Sequence, residues 1–335
     1  MTPDMALLFL TLDEPGPVPI YLESSRKYDL EKALLRLVLE GVLELEDEGS
    51  FVSGVEASNR LFDVSDSRNG SHLAALSIRA LQYGQSLGSI PLPDLTRRLY
   101  DYGRKAVSPV RARQFCCEAA VEEFLGLSDS GRAQSIIRKW WFPVNGSDSY
   151  WKMWRPKRRE PSDGAVKYKL YVSPTWKSLA EAFLASAEVF AQTPGLRGLK
   201  IARDVRGLSR SDKLVGYFSR FDDLQEAASR LHRRLNGSDV HGVPFTAEIT
   251  SDGLLSWGAD PPLALIAAQP TMGRSWRFWI ASQLAQNLLA PLRREPASQR
   301  WKFALNKLRV DGVDTNTWVP EGRLWERALS GAIGE

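Results

Sequence analysis

The chain has 335 residues, 43% hydrophobic and 25% charged, with a formal net charge of +4. That balance fits a soluble globular protein with room for two modules, and no apolar run is long enough to cross a bilayer. The apolar opening residues carry Asp4 and lack basic flanks, so no secretory signal is expected, and the adjacent Cys116 and Cys117 fit a reducing cytoplasm better than a disulfide.

Residues 1–50 are acid-rich, from Asp4 to Glu48. Asp29 is placed to cap a helix through Leu30–Leu43, where Leu30, Ala33, Leu34, Leu37, Val38 and Val42 recur at helical spacing. Alternation in Leu43–Glu46, a turn at Asp47–Ser50 and then Phe51-Val52 predict a short hairpin. After a polar stretch, Asp63–Ser71, helices are expected over His72–Ser86, Asp94–Tyr102 and Ala112–Leu125, with both cysteines packed inside the last. These elements make residues 1–130 a mostly helical first domain with a small hairpin, and residues 131–335 an α+β second domain.

The second domain opens with an aromatic-basic stretch, Trp140–Arg159, in which Trp140, Trp141, Tyr150, Trp151 and Trp154 alternate with Lys152, Arg155, Lys157 and Arg158. Such a stretch can stack nucleobases, or it can form a hydrophobic strand pair with a basic edge; the second is the expectation here. Its tail, Pro156–Gly164, reads as a charged loop. Val166–Ser173 then alternates as a strand, Trp176–Ala191 is helical, and Leu196–Arg203 and Asp212–Phe218 are strands joined by a loop. Asp222–Leu235 is helical, Val243–Ile249 is a strand, and Leu254–Trp257 can add another. The order is β-α-β-β-α-β, the split arrangement of a ferredoxin-like sheet, with helices over Arg274–Leu292 and Arg300–Leu308 to follow.

Several kinds of active site are excluded by their absent motifs. The three histidines, His72, His232 and His241, show no metal-ligand spacing, and there is no phosphate-cradling glycine loop, dinucleotide fingerprint or Gly-x-Ser-x-Gly elbow. No metal or other cofactor is expected. His232 reads as solvent-facing and His241 as a turn residue. What remains is a set of cations on strands. Period-two alternation puts Lys167, Lys169, Tyr171 and Ser173 on one face of their strand, with Tyr168, Leu170 and Val172 facing helices. Lys200 interrupts an apolar strand, Arg210 stands at a strand entrance, and Lys213 shares a face with Tyr217. If the strands are neighbours, Lys169, Tyr171, Lys200, Arg210 and Lys213 line one open sheet face. That pattern suits an anionic ligand; it equally describes an ordinary polar sheet face.

The run Gly198–Ile201 followed by Arg210–Phe218 resembles a signature of the HopA-type effector family, and Gly242–Glu248 and Gly253–Gly258 continue it. Arg98–Gly103 with Ser108-Pro109 is similar to a segment in that family's helical half. The family includes plant-pathogen type III effectors and the lyases of class V lanthipeptide and thioamitide clusters. Lys169–Ser173 also resembles the Lys-x-His-Val-Ser strand of phosphothreonine lyases, with Tyr171 in place of the histidine. The resemblance implies a phosphate-eliminating lyase that converts phosphoserine or phosphothreonine of a ribosomally made precursor peptide to dehydroalanine or dehydrobutyrine. It implies Lys169 as the base and casts Tyr171 as the group that assists the leaving phosphate. Lys200, Arg203, Arg206, Arg210 and Lys213 then become phosphate ligands, and Lys152 and Arg155 peptide contacts. The implied partners are the phosphorylated precursor, a separate Ser/Thr kinase and a cyclase, in the cytoplasm and away from membranes. A non-catalytic protein that holds a phosphorylated or nucleotide-like partner is the alternative. Nucleic acid is not an expected partner, since a pI of about 9.0 is weak support.

Overall fold

The structure, a computed structural model, describes residues 27–62, 71–144, 150–158, 168–261, 275–290 and 300–321. The acidic segment before residue 27, the polar stretch 63–70, and Lys167 with most of the charged loop before it lie outside the described residues.

Helix α1 (Lys27–Leu39) leads into the hairpin β1 (Leu45–Asp47) and β2 (Ser50–Val52). Its two loop residues, Glu48 and Gly49, both have positive φ, as a two-residue hairpin loop of matching twist requires. Helix α2 (Gly54–Leu61) follows, then α3 (His72–Ser86), capped by Ser71 Oγ accepting from Ala74 N, and α4 (Leu92–Tyr100). The single helix expected over Ala112–Leu125 is instead two, α5 (Pro109–Gln114) and α6 (Glu118–Phe124). Between them Phe115 leaves helical geometry and stacks on Trp176, with ring centroids 5.2 Å apart. Burying that ring turns the chain, so Cys116 and Cys117 are exposed rather than packed inside a helix.

Helix α7 (Arg132–Trp140) delivers the chain to a seven-stranded sheet. The aromatic-basic stretch forms its first two strands, β3 (Trp141–Pro143) and β4 (Trp151–Pro156), with Trp141 and Trp154 buried. Next come β5 (Tyr168–Val172), α8 (Trp176–Ala191), β6 (Leu196–Ala202), the short α9 (Val205–Leu208), β7 (Leu214–Phe218) and α10 (Phe221–Arg234). Strands β8 (Ala247–Glu248) and β9 (Leu255–Ala259) complete the sheet. Two helices, α11 (Trp276–Leu288) and α12 (Arg300–Val310), and a hairpin, β10 (Val313–Asp314) with β11 (Val319–Pro320), end the described chain.

The strand order is β3-β4-β6-β7-β5-β9-β8, with antiparallel neighbours throughout. The protein is therefore α+β, with N- and C-terminal helices flanking the sheet. The strand expected over Val243–Ile249 shortens to β8 at the sheet edge, and β9 lies between it and β5. Phe245 takes a positive φ and buries its ring, leaving only Ala247–Glu248 to pair, and with β9. The Gly253 turn (φ 78°) then brings β9 alongside β5.

Alternation divides the sheet into two faces. Leu170, Val172, Leu199, Ile201, Leu214 and Phe218 pack with Phe183 and Phe190 of α8 and Leu224 of α10 in one core. A second core joins Leu81, Leu95 and Leu99 of the early helices to Trp276, Ile280, Leu284 and Leu308 of the late ones. Helix α11 lies close over the other sheet face: a Cβ on Gly258 would come within 2.3 Å of the Trp276 ring. Gly258→Ala is therefore expected to lower unfolding free energy by about 1–3 kcal/mol, read from the denaturant midpoint. A midpoint equal to that of the wild type would mean that Trp276 does not sit against the strand.

Candidate active site

Lys169 stands opposite Tyr217 on one side and Gly258 on the other, and Tyr171 stands opposite Val215 and Ser256. Val215 in turn faces Lys200. Residues directly opposite share a face, so register alone gathers Lys169, Tyr171, Lys200 and Tyr217 on the side away from α8 and α10. Lys169 Nζ and Lys200 Nζ each lie 5.6 Å from the Tyr217 ring centroid. Lys200 Nζ is also 4.0 Å from the Trp151 ring, and the Arg210 guanidinium lies 5.5 Å from that ring. Three of the expected cations thus share two aromatic rings, an arrangement that holds positive charge in place.

The face is not open. Lys169 is 8% exposed and donates to Asp260 Oδ1 at 2.6 Å. The same carboxylate oxygen accepts from Trp276 N, the first residue of α11, at 3.0 Å, so Asp260 ties the lysine to a helix N-terminus. Tyr171 is buried, at 4% exposed. Burial, followed by the nearby Asp260 charge, pushes that phenol well above its usual pKa of 10. It stays protonated and suits hydrogen-bond donation more than proton transfer.

Arg210 is held by one edge. Its Nε and Nη2 donate to Asp212 Oδ1 and Oδ2 at 2.8 and 3.0 Å, and its Nη1 lies 3.6 Å from Asp101. Behind Asp212 stands the buried Arg277, whose Nη1 is 2.7 Å from Asp212 Oδ2. Arg277 Nε donates to the Pro244 carbonyl and Nη2 to the Tyr100 carbonyl. The Tyr100 hydroxyl donates to Asp212 at 3.2 Å, and its ring lies 5.1 Å from Arg210 and 4.8 Å from Arg277. Burial alone would raise the Asp212 carboxyl, but Arg277 and Arg210 hold it far below the usual carboxylate range. Burial likewise opposes the charge on Arg210, and Asp212 outweighs it and raises the pKa further. The result is an arginine anchored by a buried ion cluster, with its guanidinium beside the Trp151 ring that Lys200 also meets.

Other expected ligands fall elsewhere. Lys213 is 1% exposed, not on an open face; its Nζ donates to the Pro174 carbonyl at 2.8 Å and lies 3.0 Å from His241 Nδ1. Arg203 pairs with Glu118 of α6, and Arg206 is exposed on α9. Lys152 stands opposite the core residue Ile201, on the other sheet face, where Glu118 and Glu122 hold it. Arg155 is exposed on the same face as Lys200 but two strands from β7. These positions differ from the expected cluster because parity and loop geometry, not chain proximity, set where each side chain points.

His241 is more than a turn residue. Its Nε2 lies 2.6 Å from the Gly103 carbonyl and must carry the proton, leaving Nδ1 to accept from Lys213. Burial, then the neighbouring Lys213, lowers its pKa from 6.5 to about 4, and burial lowers Lys213 to about 7. The unfolded chain therefore takes up a proton at His241 as pH falls below about 6.5, and the folded chain does so only near pH 4. Stability is present above that window and is lost through it, by up to about 3 kcal/mol from this residue. Lys213 acts in a higher window, adding stability as pH rises from about 7 toward 10.5. Denaturant unfolding at pH 7 and pH 4.5 is expected to show the acid loss in the wild type and a smaller one in His241→Gln. Equal losses in both would remove His241 as the cause.

The sequence did not single out Asp260, Tyr100 or Arg277 as site residues. Arg277 did leave a signal, a lone cation inside the apolar run Trp276–Ile280, where a buried charge needs a partner. Among the described residues no group of three or more His, Cys, Asp or Glu gathers as a metal site would, and no helix is long and apolar enough to cross a membrane.

No family profile and no curated protein sequence matches the chain. In structure it is similar to an effector protein from Pseudomonas syringae pv. syringae strain 61, at 13% identity over 74% of this chain and 98% of that one, with a TM-score of 0.46. A second effector, from Pseudomonas syringae pv. tomato strain DC3000, is similar at 12% identity over 74% and 98%, with a TM-score of 0.41. The type III effector and phosphothreonine lyase OspF from Shigella flexneri is similar at 14% identity over 57% and 100%, with a TM-score of 0.33.

Proposed function

We propose that the protein is a phosphate-eliminating carbon–oxygen lyase acting on phosphoserine or phosphothreonine in a peptide. The observation that carries this reading is the convergence of Lys169, Lys200 and Arg210 around the Tyr217 and Trp151 rings on one sheet face. The resemblance of Arg210–Phe218 and Lys169–Ser173 to lyase motifs supports it.

In this reading the Lys200 ammonium and the Arg210 guanidinium bind the phosphate oxygens. Lys169, held by its ion pair with Asp260, first gives its own proton to solvent and then takes the α-proton, and the carbon–oxygen bond breaks with its electron pair leaving on phosphate. Phosphate is a good leaving group, so Tyr171 needs only to donate a hydrogen bond to the departing oxygen. The elimination consumes no water. A ribosomally made precursor phosphorylated by a separate cytoplasmic kinase is the proposed substrate, with dehydroalanine or dehydrobutyrine as product and a cyclase as the following partner.

The test incubates purified protein with a phosphoserine peptide and measures peptide mass. Loss of phosphoric acid from the peptide is the expected result. Release of phosphate with serine regenerated would make the protein a phosphatase, and an unchanged peptide that nevertheless binds would favour the non-catalytic reading.

A further inference from the structure

The face that carries Lys169 and Lys200 does not end at the covered part of the sheet. Met153 stands opposite Lys200, Arg155 follows two residues along β4 on the same face, and Phe142 of the edge strand β3 stands opposite Arg155. Exposure rises along this line. Lys169 is buried, Lys200 and Met153 are half-buried, Arg155 is exposed, and Phe142 is 56% exposed. Gly198, opposite Tyr217, puts no side chain in the way. Lys157 Nζ lies 5.4 Å from the Phe142 ring, so a second base reaches the exposed aromatic beside Arg155. The core has no use for this ring, because Trp141 and Trp154 already fill the opposite face of the same strand pair.

We propose that this shelf, formed by Phe142, Met153 and Arg155 with Lys157 at its rim, binds the part of the substrate peptide flanking the phosphorylated residue. Its chemistry selects a flank with an apolar side chain next to an acidic one: the apolar group covers Phe142 and Met153, and the acid meets Arg155 and Lys157. The location of the phosphate rests on the lyase reading; the shelf's preference does not. Strand spacing sets the reach. β3 is four strands from β5 and two from β6, about 19 and 10 Å at ~4.8 Å per strand, and an extended peptide advances ~3.3 Å per residue. The apolar residue therefore falls about three to six positions from the phosphorylated one.

The test uses labelled peptides carrying a non-eliminable phosphonate analogue of phosphoserine, so that binding is read without turnover. One bears Leu-Glu about four positions away and its control bears Ser-Lys there, each made with the flank on the N- and on the C-terminal side. For one direction, the Leu-Glu peptide is expected to bind about tenfold more tightly or better. The double variant Phe142→Ser, Arg155→Glu is expected to abolish that difference with an unchanged melting temperature, since both side chains are exposed. Arg155→Glu alone is expected to move the preference from Leu-Glu to Leu-Lys. Equal binding of the two peptides in both directions, or an undiminished preference in the double variant, overturns the shelf. So does displacement of the peptide by single-stranded DNA more readily than by an acidic peptide of equal charge. A flank preference without elimination from the matching phosphoserine peptide would sink the lyase reading and leave the shelf; elimination without a flank preference would do the reverse.

Discussion

Lys169→Ala is expected to slow elimination from a phosphoserine peptide by about 10²–10⁴-fold, the range that a positioned proton acceptor contributes. Alanine also leaves Asp260 without its lysine, so loss of activity alone would not separate chemistry from structure. Lys169→Arg separates them. Arginine retains the positive charge and can still pair with Asp260, but it stays protonated at any usable pH and cannot accept the α-proton. The arginine variant is therefore expected to melt like the wild type, to bind phosphonate peptide within a few-fold of it, and to be as inactive as the alanine variant. Turnover near the wild-type rate in Lys169→Arg would move the base elsewhere. Lys200, which shares the Tyr217 ring from the β6 side, is then the next amine to replace. With Lys169 as base, Lys200→Ala is expected to act mainly on KM, through lost phosphate contact.

Asp212 carries the second large effect, on stability. It is buried between Arg210 and Arg277, pairs with both, and accepts from Tyr100 as well. Asp212→Asn keeps the shape and removes the charge, which leaves two guanidiniums facing each other with no anion between them. A buried pair broken on one side typically loses about 3–5 kcal/mol, and this carboxylate serves two partners. The expected result is an unfolding free energy lowered by that amount, seen as a lower denaturant midpoint with an unchanged slope, and partial recovery in inorganic phosphate, which binds the folded state and so stabilises it. A loss below about 1 kcal/mol would mean that Asp212 is not what allows Arg210 and Arg277 to stay charged inside the protein.

Within the described residues, much of the chain's local structure was legible from the order of its residues. Helix α3 and helix α8 match their expected spans, His72–Ser86 and Trp176–Ala191, because each carries an apolar stripe at helical spacing. The parity of β5 was equally readable: Leu170 and Val172 face the helices, and Lys169 and Tyr171 face away. Where local pattern competed with burial, burial won. Phe115 split the helix expected through the cysteines, and Phe245 prevented a long strand from forming at Val243–Ile249.

The sequence by itself determined which side chains could share a face, since alternation along a strand is a property of the backbone. It thereby grouped Lys169 with Tyr171 on one strand, and left their meeting with Lys200, Arg210 and Lys213 to depend on which strands became neighbours. Only the tertiary structure decided what stands over them. Asp260 follows the end of β9, Tyr100 ends α4 and Arg277 lies in α11, and the second core that brings α4 against α11 joins residues on either side of position 130. Tertiary packing also turned Lys213 inward to His241 and drew Lys152 and Arg203 away to Glu118. A charge buried by folding takes the partner that packing places beside it, and no local pattern contains that partner's identity.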